Sequence, residues 1–250
     1  MTSYALEELS WPEVGRILAR DARLLVPVGA LEQHGPHLPL GTNTFIAQKV
    51  AEAVSQKLGI LRAPPFSYGV TVGGGPWAGT AGLRRKTFHR ALNDLFARWE
   101  DHGVQEFLVV TAHRYEPHVE AILLALTARS VTTVFDLHQM DITRLVECDP
   151  TVEHAGELET SLMLHLAPHL VRPGEITDVA PQTKTLRRYI RGRVPTPPQG
   201  TRGAVGSGTL ATASKGKAVF EHWVEILCAT LAGFGDPGPS EAGTGSRVGP

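Results

Sequence analysis

Cysteine is nearly absent from this sequence. Its two cysteines, Cys148 and Cys228, lie far apart and lack the paired spacing of a zinc knuckle or redox motif, which suits a reducing cytosol. Long runs of one charge sign are missing as well. With 24 basic and 25 acidic side chains the formal net charge is -1, so there is no electrostatic footprint for nucleic acid or an anionic membrane. No apolar stretch approaches membrane-spanning length. The N-terminal segment MTSYALEELSWPEVGRILARDARLL mixes acids and bases where a secretory signal needs a basic start and an apolar middle. There is no internal repeat. The expected setting is cytoplasmic and the expected partner a small molecule or a peptide.

What is present is enough for one sizeable core: 250 residues, 42% of them hydrophobic and 20% charged. The run from Arg23 to Gly29 reads as a buried strand stopping at a loop. The following ALEQHGPHLPLGTN is too rich in glycine and proline for regular structure. Thr44 to Leu58 then carries apolar residues at helical spacing: Phe45, Ile46, Val50, Val54 and Leu58. The same unit returns. An amphipathic helix from Thr87 to His102 is stopped by Gly103. A strand at Phe107–Thr111 leads through AHRYEPH into a helix around Val119–Ala128, and a third strand runs from Val131 to Phe135. Strands alternating with helices predict an α/β fold with a mostly parallel sheet covered on both faces, with the ligand site at the strands' carboxyl ends. The expected organisation is a single domain over 1–234 with a disordered tail at 235–250. The basic, Pro/Gly-rich stretch 181–208 reads as a mobile covering loop or a piece of subunit interface.

Three loops at that sheet edge carry metal-ligand residue types: Glu32 and His34 in the first, His113 in the second, and Glu159 in HAGELETS. Imidazole with carboxylate suits zinc, manganese or iron, and a site with open positions activates water. Glu32-x-His34 turns two side chains toward one ion, while Gly35 and Pro36 fix the backbone.

Taken in order, the segments VPVGALEQHGPHLPLGTNT (26–44), GPWAGTAGL (75–83), HGVQEFLVVTAH (102–113), EHAGELETSLML (153–164) and VGSGTLATASKGKAVFEH (205–222) resemble the creatininase, or creatinine amidohydrolase, family over roughly residues 5–234. The resemblance implies a three-layer α/β/α sandwich, assembly as a homo-oligomer, commonly a hexamer, and a centre of one or two divalent metals that hydrolyses amide-type C–N bonds. It assigns Glu32, His34, His113 and Glu159 as ligands, His154 as a proton relay with Glu153 before it, and Thr80 to the substrate-contacting loop. The departures are specific. Asn43 stands where the family has a bridging aspartate, and a neutral amide binds divalent metal more weakly, so one ion per chain is favoured over two. Arg114, Tyr115 and Glu116 stand where glycines usually give substrate room. They are expected at the substrate wall, with Arg114 favouring an anionic ligand and Glu116 one position out of register for a replacement ligand. A Trp-Asp pair that lines the creatininase pocket is matched here by Pro150 and Thr151, so creatinine is not the expected substrate.

The implied activity is a metal-dependent amidohydrolase acting on an amide, lactam or formamide, or running in the reverse, amide-forming sense. The alternative is an impaired relative that keeps the pocket for binding or assembly. His37 is as suited to bracing its loop as to touching substrate; His138 and Asp136 read as polar core, and Glu157 as the acid capping its helix. The run Lys184, Arg187, Arg188, Arg191 and Arg193 reads as a solvated face or as an anion contact in the covering loop.

Overall fold

The computed structural model describes residues 3–71, 77–125, 129–180 and 202–233. Four parallel strands, β1 (Arg23–Val28), β2 (Leu61–Arg62), β3 (Glu106–Thr111) and β4 (Val131–Asp136), form one sheet in the order β2-β1-β3-β4. Each strand reads as an apolar run because both faces are covered. Leu24, Val26, Val28, Phe107 and Val109 pack on one side with α1 (Trp11–Leu18), α3 (Arg85–Asp101) and α4 (Glu116–Leu123). Leu25, Leu108, Val110 and Phe135 pack on the other with α2 (Thr42–Leu58), α5 (Glu157–Leu166) and α6 (Ala213–Gly233). The side-chain alternation of a strand thus divides one sheet between two cores, and the expected three-layer sandwich is the observed one. A small antiparallel pair, β5 (Asp178–Val179) with β6 (Gly206–Ser207), stands apart.

The differences from the sequence reading have local causes. Helix α1 was not foreseen; a capping box between Ser10 and Glu13 starts it, the Ser10 backbone N–H donating to the Glu13 carboxylate at 2.8 Å. Helix α4 begins at Glu116, three residues before the expected start, because Pro117 sits in the first turn where its missing N–H costs nothing. The expected tail at 235–250 and the basic run from Lys184 to Arg193 lie outside the described residues, and the helix expected over 119–128 ends at Leu123. No helix among the described residues is long and apolar enough to cross a membrane, and Cys148 and Cys228 are free thiols.

Two glycines let the layers close around the site. A Cβ on Gly29, just past β1, would lie 2.4 Å from the Thr44 Cα, so only glycine lets α2 start against the end of β1. A Cβ on Gly216 would lie 1.9 Å from the Ser161 carbonyl oxygen, so α6 meets the α5 backbone directly. That contact holds α5 in place, and with it Glu159.

Candidate active site

Val28 pairs with Thr111 across β1 and β3, so the loops leaving the carboxyl ends of these two neighbouring strands emerge side by side. The first carries Glu32 and His34, the second His113. Asn43 enters from the first turn of α2 and Glu159 from the first turn of α5. His154 arrives on a segment pinned to Val205 by a reciprocal pair of 2.8 Å backbone hydrogen bonds. The ligand atoms of Glu32, His34 and His154 all lie within 4.8 Å of one another. Around them, Glu159 Oε1 is 3.5 Å from His34 Nε2, Glu32 Oε2 is 3.3 Å from His113 Nδ1, and the His34 and His154 ring centroids are 4.6 Å apart. The four expected ligands, the weaker candidate Asn43 and the expected proton relay therefore meet in one place, with His154 close enough to count among the donors.

His34, Asn43, His113 and Glu159 are buried, and buried polar groups are tolerated only when bonded. His34 Nδ1 donates to the Glu32 carbonyl oxygen (2.9 Å), which turns Nε2 toward Asn43 Oδ1 (3.1 Å). His113 Nε2 donates to the Val70 carbonyl oxygen (2.9 Å), which turns Nδ1 toward Asn43 Nδ2 (2.9 Å). His154 Nε2 donates to the Gln33 carbonyl oxygen (2.8 Å). Each histidine is thus oriented through one nitrogen by a backbone carbonyl, the arrangement that aims the other nitrogen into a site. The Ala155 N–H donates to Glu159 Oε2 at 2.6 Å, with Ala155 itself held at φ 54°.

Electrostatics follow from this packing. Burial alone would lower the His34 pKa, but the Glu159 carboxylate, with Glu32 behind it, holds it up at about 9. Burial would raise Glu159, but His34, assisted by His154 and His138, holds it well below the usual carboxylate range. Burial pushes His113 down, with the His34 and His154 charges adding to it. Two carboxylates converging on imidazole nitrogens form a donor set that suits a divalent cation.

Residues 7–231 match the Creatininase family, described as creatinine amidohydrolase. The chain belongs to the creatininase family. It is 30% identical to a creatinine amidohydrolase of Pseudomonas putida over 249 residues, 87% of this chain and 92% of that protein. It is also 30% identical to a mycofactocin precursor peptide peptidase of Mycobacterium ulcerans over 232 residues, 86% of each. A crystal structure of creatininase superposes with a TM-score of 0.81 at 28% identity, covering 95% of this chain and 100% of that one. Two further solved creatininases at 27% identity, with TM-scores of 0.79 and 0.76, are described as a mutant of Zn-Zn type and as an Mn form; they cover 95% and 94% of this chain, and each is covered in full. As a creatininase-family member the chain is an enzyme, a hydrolase of C–N bonds.

The remaining candidate residues take the following places, some of them different from their sequence expectation. Arg114, expected against substrate, donates to the carbonyl oxygens of Pro150 and of Glu153 (3.0 Å for the latter). It is a strut between the His113 loop and the segment leading to His154. Glu153 accepts from the backbone N–H groups of Glu157 (2.9 Å) and Ser207 (2.8 Å), so it caps α5. Glu157, expected as that cap, instead accepts from the Glu147 and Cys148 N–H groups and pairs with Lys215 at 2.5 Å. Thr80 Oγ1 accepts from the Gln33 N–H at 2.9 Å, bracing the metal-type loop. Tyr115 lies with its ring 6.0 Å from His113, and burial, then Glu32, raises its pKa. Glu116 opens α4, where an acid favours the helix dipole. His37 braces its loop through the Ala155 carbonyl oxygen at 3.1 Å. His138 donates to the Ala112 carbonyl oxygen at 2.9 Å, and Asp136 accepts from the His138 N–H at 3.1 Å.

Two residues were missed. Gln33 accepts from the Gly35 N–H (3.0 Å) and donates to the Gly203 carbonyl oxygen (3.0 Å) while its own carbonyl holds His154. Its place between Glu32 and His34 was the available signal. His118 lies fully buried behind His113, accepting from the Val70 N–H at 3.1 Å and facing Thr111 Oγ1 at 3.2 Å. No spacing rule in the sequence points to it.

Proposed function

We propose that this creatininase-family chain is a divalent-metal-dependent amidohydrolase whose substrate is an amide, lactam, formamide or short peptide other than creatinine. The reading rests on the convergence of Glu32, His34 and His154 within 4.8 Å, with Glu159 at 3.5 Å from His34. Nitrogen and carboxylate donors brought together in this way fit zinc, manganese or iron(II). A bound ion of this kind supplies Lewis-acid polarisation of a carbonyl and makes water acidic enough to attack at neutral pH.

The chain's own groups do the rest. Glu32 and Glu159 balance the cation's charge and orient the donors. His154, with Nε2 committed to the Gln33 carbonyl oxygen, has Nδ1 left to carry a proton to the leaving nitrogen. Glu153, Gln33 and Arg114 hold the His154 segment in register. The Asp149 carboxylate accepts from the Thr151 N–H (2.9 Å) and hydroxyl (2.6 Å), forming a tight turn where creatinine recognition needs a stacking ring and a carboxylate. Arg114 is spent on carbonyls, so an anionic substrate group is not part of this proposal.

An impaired relative is the second reading, favoured by one observation: a neutral amide, Asn43, bonds to both His34 and His113 where the family resemblance expects a carboxylate. A single experiment separates the two. Metal-stripped protein is reloaded with zinc or manganese, metal uptake is measured, and hydrolysis is assayed on creatinine, lactams, formamides and short peptides, with His34→Ala as control. Metal uptake and amide hydrolysis that both vanish in His34→Ala, with unchanged circular dichroism, support the enzyme. Absence of metal uptake in the unsubstituted chain favours the impaired relative, and creatinine turnover near ~10 per second refutes the substrate assignment. We also propose a homo-oligomer, consistent with exposed Leu123, Leu124 and Val131; a monomeric mass by light scattering would refute it.

A further inference from the structure

The polarity of the Asn43 amide divides this site into two unequal corners. A carbonyl oxygen only accepts, so the 2.9 Å contact with the Val70 carbonyl oxygen fixes a hydrogen on His113 Nε2 and leaves Nδ1 as an acceptor. The atom 2.9 Å from that nitrogen must then be the Asn43 N–H and not its oxygen. The amide oxygen consequently faces the other way, toward His34 Nε2 at 3.1 Å. On one side of Asn43 the His113 Nδ1 meets an amide hydrogen at 2.9 Å, with Glu32 Oε2 at 3.3 Å from the same nitrogen. On the other, an oxygen donor joins Glu159 around His34.

A carboxylate at position 43 behaves differently. It presents acceptors to both histidines, and an acceptor against the bare Nδ1 of His113 needs a cation or an added proton between them. Glu32 Oε2 already lies 3.3 Å from that nitrogen, and the asparagine sets an amide hydrogen there at 2.9 Å in place of a second acceptor. The charge count agrees: Glu32 and Glu159 are the carboxylates that reach His113 and His34, and together they balance one divalent ion. Nearby Arg114 lies among Asp149, Asp136 and Glu153 as well as Glu159, so it is not left to oppose one ion alone.

We propose that the chain holds one divalent cation, in the corner bounded by Glu32, His34 and Glu159, with His154 beside it and its Nδ1 kept for proton transfer, and that the Asn43 N–H fills the second corner. His113 is then a hydrogen-bonded buttress and not a ligand. This assignment rests on the metal-dependent reading above and goes beyond it, since the family resemblance makes His113 a ligand and solved relatives include a Zn-Zn type.

The test is calorimetric titration of chelator-stripped protein with zinc, alone and in variants. The expected result is one equivalent in the unsubstituted chain, one equivalent in His113→Gln with affinity lower by about 10- to 100-fold, as for loss of an outer partner, and none in His34→Ala. Asn43→Asp should take up a second equivalent. A measurement that needs no substitution is the nitrogen-15 spectrum of the histidines: zinc should shift His34 strongly and leave His113 Nδ1 as a hydrogen-bond acceptor. Two equivalents in the unsubstituted chain, loss of the single equivalent in His113→Gln, or a ligation shift at His113 would each overturn the assignment while leaving the metallohydrolase reading intact. No uptake by the unsubstituted chain would overturn both.

Discussion

Replacing Gly216 by alanine tests whether the α5–α6 contact holds the site. In an open helix position, glycine to alanine stabilises by about 1 kcal/mol, because alanine costs less backbone entropy. At Gly216 the sign must reverse. The added Cβ would lie 1.9 Å from the Ser161 carbonyl oxygen, 2.4 Å from its carbonyl carbon and 2.9 Å from the Leu162 nitrogen. These are backbone atoms, so no rotamer change gives way, and α6 has to back off from α5 by about 1.5 Å to regain an ordinary contact. Overpacking of a closed core costs about 1–3 kcal/mol. Less the propensity gain, a net loss of up to about 2 kcal/mol remains, which at this size lowers Tm by up to about 8 °C. Gly15, exposed in α1 with nothing within 4 Å of its Cβ position, is the matched control: Gly15→Ala should raise stability by up to about 1 kcal/mol. Thermal unfolding of both variants in excess chelator reads the difference. Because α5 carries Glu159, Gly216→Ala should also weaken zinc binding while Gly15→Ala leaves it unchanged. If Gly216→Ala stabilises as Gly15→Ala does, the close contact is not there and the argument fails.

Ala155 at φ 54° carries a left-handed strain of about 1–2 kcal/mol. Ala155→Gly relieves it but gives up a buried methyl of about 0.8 kcal/mol and adds unfolded-state entropy of about 0.4–1 kcal/mol, so stability should change by less than about 1 kcal/mol; a loss above about 2 kcal/mol in urea unfolding would mean the strain is absent. Thr80→Val removes the acceptor for the Gln33 N–H and should cost about 1–3 kcal/mol together with weaker metal binding. A change in KM alone, with stability and metal affinity intact, would return Thr80 to a purely substrate-contacting role.

The layered α/β/α architecture was legible in the sequence because strand and helix periodicities are local: the runs at 23–28, 106–111 and 131–136 and the stripe of α2 announce themselves within a few residues. The candidate site was legible too, since Glu32, His34 and His113 come from loops that parallel strand order brings to one edge, while Glu159 arrives on the first turn of α5. What only the tertiary structure decided were the partners of each polar group. Arg114 and Glu153 carry the same side-chain chemistry whether they face a substrate or a backbone; only the approach of the 150–153 and 207 segments assigns them to structure. Gln33 and His118 matter through bonds to residues 170 and 48 positions away, a separation no local pattern records. The amide of Asn43 is the clearest case. Its identity is written in the chain, but which end faces which histidine follows from a single carbonyl, that of Val70, delivered by a different loop.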